Sequence, residues 1–220
     1  MMAMEDIIYR LAIYLPGFLF AIVCHEWAHG YVALKYGDNT AQSQGRLTLN
    51  PLAHMDMVGT VIWPLVCLFL GGVIFGYAKP VPVNPNRFKN YRQGLFWVSF
   101  AGPGMNILIG VFCSLCLAVV VTQLSTQSSY YVPMVRMLDG AIMINFVLAV
   151  FNLIPFPPLD GSKMVTSFLD YENARKFESL ERYALLFLLV LWFSNIARYI
   201  FFPADMARQY LPVFFARILS

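Results

Sequence analysis

Long apolar runs of membrane-crossing length alternate along the chain with short polar stretches that collect most of the charge. A membrane span needs about 20 mostly apolar residues. By that rule a first helix covers roughly residues 6–35 and stops at Gly37, with Lys35 in its last turn. The following NTAQSQGRLTLNPLAHMD begins polar and then alternates around Arg46–Asn50, the period of a short strand. Next comes MVGTVIWPLVCLFLGGVIFGY, interrupted by Pro64 and by Gly71–Gly72. In AKPVPVNPNRFKNYRQ, prolines at 80, 82 and 85 exclude helix and favour an extended segment over Ala78–Pro85. Further apolar runs cover about 93–122, 132–154 and 183–202. The tail from Pro203 carries Arg208 and Arg217 among aromatic residues, the pattern of an interfacial amphipathic helix.

These periods predict an all-α polytopic membrane protein. It would have about five transmembrane helices, a re-entrant or extra hydrophobic segment, and short membrane-associated β-strands. Composition sharpens the prediction: 59% of the 220 residues are hydrophobic and 12% are charged, against a usual charged share of about 25%. A soluble globular domain is excluded on that balance. No linker, repeat or low-complexity tract divides the chain, so residues 1–220 read as one domain. The N-terminal MMAMEDIIYR lacks the basic region and cleavage site of a signal peptide, so the first apolar run is expected to be retained. The four cysteines lie in apolar runs and read as small hydrophobes; Cys113 and Cys116 form a CxxC with no second pair to complete a zinc knuckle.

Charge then orients the spans. The net charge of +3 sits in loops, which suits membrane topology and excludes nucleic acid as a partner. Residues 122–133 contain no Lys or Arg and should be extracytoplasmic, whereas 78–92 and 156–182 carry four each and should be cytoplasmic. The first helix therefore runs from outside to inside. Residues 57–77 would start and finish on one side, which predicts a re-entrant hairpin broken at Gly71–Gly72; a true span that breaks the charge rule is the alternative. The arginines after residue 197 leave the side of the C-terminus open.

Against this apolar background, the first helix carries two of the three histidines, in His25-Glu26-Trp27-Ala28-His29. Side chains at i and i+4 share a helix face, so both imidazoles of this HExxH can reach one zinc ion. Glu26 is placed to take a proton from a zinc-bound water. Ionisable residues at membrane depth are costly and usually functional. A further protein ligand is needed, and no Glu occurs between Glu26 and Glu172. The acidic candidates in or beside apolar segments are Asp56, Asp139 and Asp160. Asp160 is the strongest. It follows Pro155, Pro157 and Pro158 in FNLIPFPPLDG, where broken backbone is tolerated mainly if it lines a cavity, and Gly161 permits a sharp turn beside it. Loop charges put it at the same depth as His25 and His29.

HEWAH followed by NLIPFPPLDG closely resembles the site-2 proteases, the intramembrane zinc metalloproteases, whose pairing is an HExxH and a later NxxPxxxxDG. Asn152, Pro155, Asp160 and Gly161 match that spacing, and AGPGMN, with Gly102 and Asn106, is a further family-like element. GRLTLNPLAHMD with GYAKPVPVNP looks like a bacterial-type subgroup without PDZ or CBS domains. Met57 stands where this subgroup is expected to have proline, and no ligand changes with it. The resemblance covers about residues 18–165, the metal-site core, leaving a C-terminal helix and tail at 178–220.

The resemblance implies that His25, His29 and Asp160 ligate one Zn2+ per chain, that Glu26 is the general base, and that Asn152 sits near the metal and bonds the developing oxyanion. It further implies a transmembrane protein or peptide as substrate, the bilayer as surroundings, and the inner (plasma) membrane of a bacterial cell as location, with the site toward the cytoplasm. An unwound substrate could pair with Arg46–Asn50 and Ala78–Pro85 by strand addition; a merely structural loop is the alternative. His54 could be a cavity residue, a regulatory ligand or a satisfied interfacial histidine. Asn106 and Asn145 could line the cleft or bridge helices. A zinc-binding membrane scaffold or metal transporter without proteolysis stays open, with Glu26 arguing against it. Oligomeric state is not legible.

Overall fold

The computed structural model describes residues 4–69 and 79–219. Helix α1 (Met4–Lys35) opens with Glu5 and Asp6 in its first turn and closes with Lys35, both favourable to the helix dipole. It ends as the sequence predicts. Gly37 adopts φ +105°, the Gly37 amide donates to the Leu34 carbonyl at 3.1 Å and the Asp38 amide to that of Ala33 at 2.9 Å. These are the two bonds of a Schellman motif, which needs a residue free to take positive φ.

The one-turn α2 (Thr40–Ser43) leads into irregular backbone over residues 46–50. The expected strand is not there, and none occurs among the described residues. Residues 79–84 lie beside this stretch, but prolines at 80 and 82 remove ladder donors, and the contact is made by a side chain: Arg46 Nη2 donates to the carbonyls of Lys79 at 3.0 Å and Pro80 at 3.3 Å. A π-helical turn (Met57–Ile62), capped by Asp56, continues into α3 (Trp63–Phe69). The predicted re-entrant break at Gly71–Gly72 lies outside the described residues.

Helix α4 (Tyr91–Gln123) is capped by Asn90, whose side chain accepts the Gln93 amide, and α5 (Tyr131–Leu153) follows after a short turn. Both bounds lie within two residues of those read from hydropathy. Helices α1, α4 and α5 form the central bundle, and α9 packs on α4 and α5. Close approach rests on missing side chains, as in other membrane bundles: a β-carbon on Gly140 would stand 2.5 Å from the Tyr14 ring. After α5 come α6 (Asp160–Thr166), α7 (Tyr171–Glu178), α8 (Ala184–Phe193) and α9 (Ile196–Leu219).

Among the described residues three helices are long and apolar enough to cross a membrane, within α1, α4 and α5. A fourth span is possible only if the segments on either side of Ser194, bent by 80°, count as one. About five were expected. The expected span at 183–202 is broken at Ser194, and residues 57–77, expected as a re-entrant or extra segment beside those five, fall partly outside the described residues. The tail differs too. Pro203 and Pro212 lie inside α9, whose Ala204, Ala207 and Leu211 pack with Leu117, Ile142 and Phe146. Arg208 donates two bonds to Asp139 on α5, at 2.8 and 2.7 Å, so the arginine assigned to an interfacial face instead clamps the tail to the bundle. That pairing also removes Asp139 from the candidate metal ligands.

Candidate metal centre

His25 and His29 stand one turn apart on α1 with their Nε2 atoms 3.0 Å from each other. Asp160, the first residue of α6, brings its Oδ2 to 3.2 Å from both. All three are buried. The break that delivers Asp160 runs from Ile154, which leaves the helix with extended backbone, through a cis Pro157–Pro158 bond to Leu159. Gly161 has no positive φ, contrary to the turn expected of it. Its role is close approach. A β-carbon there would overlap the Leu153 carbonyl, so only glycine lets α6 fold back against the end of α5.

Helix α4 faces these three side chains with Val98, Gly102 and Asn106, four residues apart and hence on one face. The Val98 carbonyl lies 2.6 Å from His29 Nδ1. A carbonyl only accepts, so His29 Nδ1 carries the proton and its Nε2 presents a lone pair. Gly102 leaves space: a β-carbon on it would stand 2.6 Å from His25 Nε2 and nearer still to His29 Nε2. Asn106 places its Oδ1 2.6 Å from His25 Nδ1, and its Nδ2 donates to the Ala21 carbonyl at 3.2 Å and to Asn145 Oδ1 at 3.0 Å. Asn145 Nδ2 donates to the Ala141 carbonyl at 2.8 Å. Both amides thus bridge helices behind the site, the second of the two roles the sequence left open.

The donor set fits zinc. Ligand atoms about 2.0–2.1 Å from a tetrahedral zinc lie about 3.3–3.4 Å apart, close to the 3.0, 3.2 and 3.2 Å edges here. Two imidazole nitrogens and a carboxylate oxygen match its ligand preferences. Electron pairs converging at this distance repel unless a cation lies between them. Among the described residues the ammonium in reach, on half-exposed Lys163, is 4.0 Å from the other Asp160 oxygen.

Glu26 Oε2 accepts the Val81 amide at 2.7 Å, which ties the carboxylate to residues 79–84. That segment is anchored at several points. The Lys79 amide donates to the His54 carbonyl at 2.9 Å, and the Asn84 amide to Asp38 Oδ2 at 2.6 Å. Gly30 makes room for Val81 and Leu47, whose methyl carbons would lie 3.0 and 3.1 Å from a β-carbon. Burial works against the charge of Asp38, but bonds from Thr40 and the Asn84 amide, with Arg87 nearby, outweigh it and hold its pKa below the usual carboxylate range.

Other predicted residues lie elsewhere. Buried His54 donates from Nε2 to the Thr48 carbonyl at 2.7 Å, and its Nδ1 has no partner. It is not in the ligand cluster. Asn152 donates to the Leu148 carbonyl of its own helix at 3.0 Å. Asp56 caps the π-helical turn through the Val58 and Gly59 amides. Sequence reasoning missed Val98, which acts through its backbone and leaves no side-chain signature. It named Gly102 only as part of the family-like AGPGMN element. An apolar pocket of about 330 Å³ opens beside Gly161, lined by Phe96, Pro155, Met164 and Phe168 among others.

Residues 118–194 match the profile of Peptidase family M50, a stretch that includes Asn152 and Asp160 and leaves out the HEWAH turn. The chain is 36% identical over 181 residues to "Putative zinc metalloprotease YwhC" of Bacillus subtilis (strain 168), an alignment covering 81% of this chain and 79% of that protein. Rip2 of Mycolicibacterium smegmatis, named under the same description, is 26% identical over 209 residues, 90% of this chain and 75% of Rip2. Rip2 of Mycobacterium tuberculosis H37Rv is 28% identical over 198 residues, 85% of this chain and 72% of its own length. No solved structure matches the chain.

Proposed function

Because the chain belongs to peptidase family M50, and is therefore a zinc metalloprotease of the membrane, we propose that it hydrolyses peptide bonds within or near transmembrane segments of other proteins. The observation that carries this reading is the convergence of His25 Nε2, His29 Nε2 and Asp160 Oδ2 beside membrane-spanning helices. In this reading those three atoms hold the zinc, and residues 1–220 form one intramembrane protease domain. Bound zinc lowers the pKa of a water toward about 7 and polarises the scissile carbonyl. Glu26 takes the proton from the attacking water and passes it to the leaving amine nitrogen. The Val81 amide keeps that carboxylate from swinging away. Asn152 supports the developing oxyanion by exchanging its bond to Leu148 for one to the substrate. Burial of the three ligands keeps bulk water from them, which strengthens each electrostatic contact. By the loop charges, the site opens toward the cytoplasmic face of a bacterial plasma membrane.

The test uses the purified full chain in lipid nanodiscs with a labelled transmembrane peptide, and maps products by mass spectrometry. Cleavage inside or at the edge of the apolar segment, abolished by chelation and restored by zinc, is expected. Cleavage that survives complete metal removal, or that never touches membrane-embedded bonds, would overturn the reading.

A further inference from the structure

We infer that Asn145 and Asn106 form a polarity relay that fixes which ring nitrogen of His25 carries its proton, and so aims the His25 Nε2 lone pair into the metal site. The inference rests on the metal reading given above. It begins at two backbone carbonyls, which can only accept hydrogen bonds. The Ala141 carbonyl lies 2.8 Å from the Asn145 amide, so that end of Asn145 must be its nitrogen, and its oxygen is turned toward Asn106. The Ala21 carbonyl lies 3.2 Å from Asn106 and fixes the nitrogen end of that side chain as well. The same nitrogen gives its second hydrogen to Asn145 Oδ1 at 3.0 Å. Both donors of Asn106 are then used. Its oxygen is left facing His25 Nδ1 at 2.6 Å, and only a protonated Nδ1 satisfies that contact.

Two carbonyls, one on α1 and one on α5, therefore impose the same polarity independently. Asn106 and Asn145 have no exposed surface, so water cannot take over a lost bond. Reversing the relay would set oxygen against oxygen at both the Ala21 and the Ala141 carbonyls. His29 receives the same instruction directly from the Val98 carbonyl. The alternative for a metal-free pair, an Nε2 proton on His25 shared with His29 Nε2 at 3.0 Å, is what the relay forbids. Neither amide touches a ligand-binding atom of the site. They are positioning residues, and among the described residues Asn145 reaches His25 through Asn106.

The chain has three histidines, so protein labelled with 15N in its imidazoles yields three pairs of ring-nitrogen signals, assigned by single substitutions. The metal-free full chain in nanodiscs is expected to show His25 protonated on Nδ1. Asn106→Leu should let the Nε2-protonated form appear and weaken zinc binding by about 10–100-fold in chelator competition. Asn106→Asp keeps an acceptor toward His25 and should retain the Nδ1 proton. A wild-type His25 protonated on Nε2 would overturn the relay, whether or not any variant folds. So would an Asn106→Leu protein with unchanged tautomer and affinity. An Nδ1-protonated His25 in a wild type that binds no zinc would uphold the relay and sink the metal reading instead.

Discussion

Replacing Gly102 by alanine should empty the metal site while leaving the fold in place. The added β-carbon would stand 2.6 Å from both Cε1 and Nε2 of His25, and closer to His29 Nε2, where ordinary contact begins at 3.4 Å. Each imidazole must therefore retreat by roughly 0.8 Å or more, against a zinc-site tolerance of about 0.2 Å. His29 cannot rotate freely, because Val98 holds its Nδ1 at 2.6 Å, and Asn106 holds His25 in the same way. Outer-shell changes cost about 10–100-fold in affinity. Direct displacement of two ligands should cost at least the upper figure, about 2.7 kcal/mol. Secondary structure should survive. Glycine to alanine favours a helix interior by about 1 kcal/mol, and Gly102 has no positive φ to strain. Gly104→Ala is the control, since its β-carbon meets a Phe100 ring carbon at 3.2 Å and no metal ligand. Zinc affinity by chelator competition and helicity by circular dichroism decide the matter. A folded Gly102→Ala protein with wild-type zinc affinity would refute the geometry.

Val81→Pro removes the amide that bonds Glu26, so cleavage should fall about tenfold while zinc stoichiometry stays at one per chain; unchanged kcat/KM would show that Glu26 does not depend on that bond. Asp38 has a folded-state pKa below its unfolded value. Its stabilisation is therefore complete above about pH 4 and is lost as pH falls through the lower folded value. The melting temperature of Asp38→Asn should accordingly fall less than that of wild type between pH 5 and 3, and parallel curves would contradict this. Arg208→Ala should lower stability by about 1 kcal/mol, since the pair with Asp139 is over a third exposed, with zinc affinity intact. Adding Asp139→Asn should restore part of that loss in a thermal melt, and no restoration would mean the ion pair is not the cause.

The residues that read most clearly from sequence are those whose side chains do the work locally. Gly37 ends α1 through its own backbone freedom, and the four-residue spacing of His25 and His29 is a property of one helix. Asp160 was legible because three prolines mark where α5 must stop. The strand expected at Arg46–Asn50 failed because a strand needs amides and carbonyls from another segment, which alternation within five residues does not report; Arg46, Leu47 and Thr48 are all part-buried and Leu49 is exposed. The ion pair that ties the tail to the bundle was illegible for a related reason. Asp139 and Arg208 lie far apart in sequence, and periodicity within one helix cannot announce a partner in another. Val98 and Val81 act through backbone groups that every residue possesses, so only assembly of the helices reveals them.

The most direct test compares wild type with Glu26→Gln in one preparation, measuring bound zinc and cleavage of a transmembrane peptide together. Zinc should remain at one per chain in both proteins, because Glu26 lies outside the ligand cluster. Cleavage should fall to background in the variant. A wild-type chain without stoichiometric zinc, or a Glu26→Gln protein that cleaves as well as wild type, would contradict the assignment of a zinc site worked by Glu26.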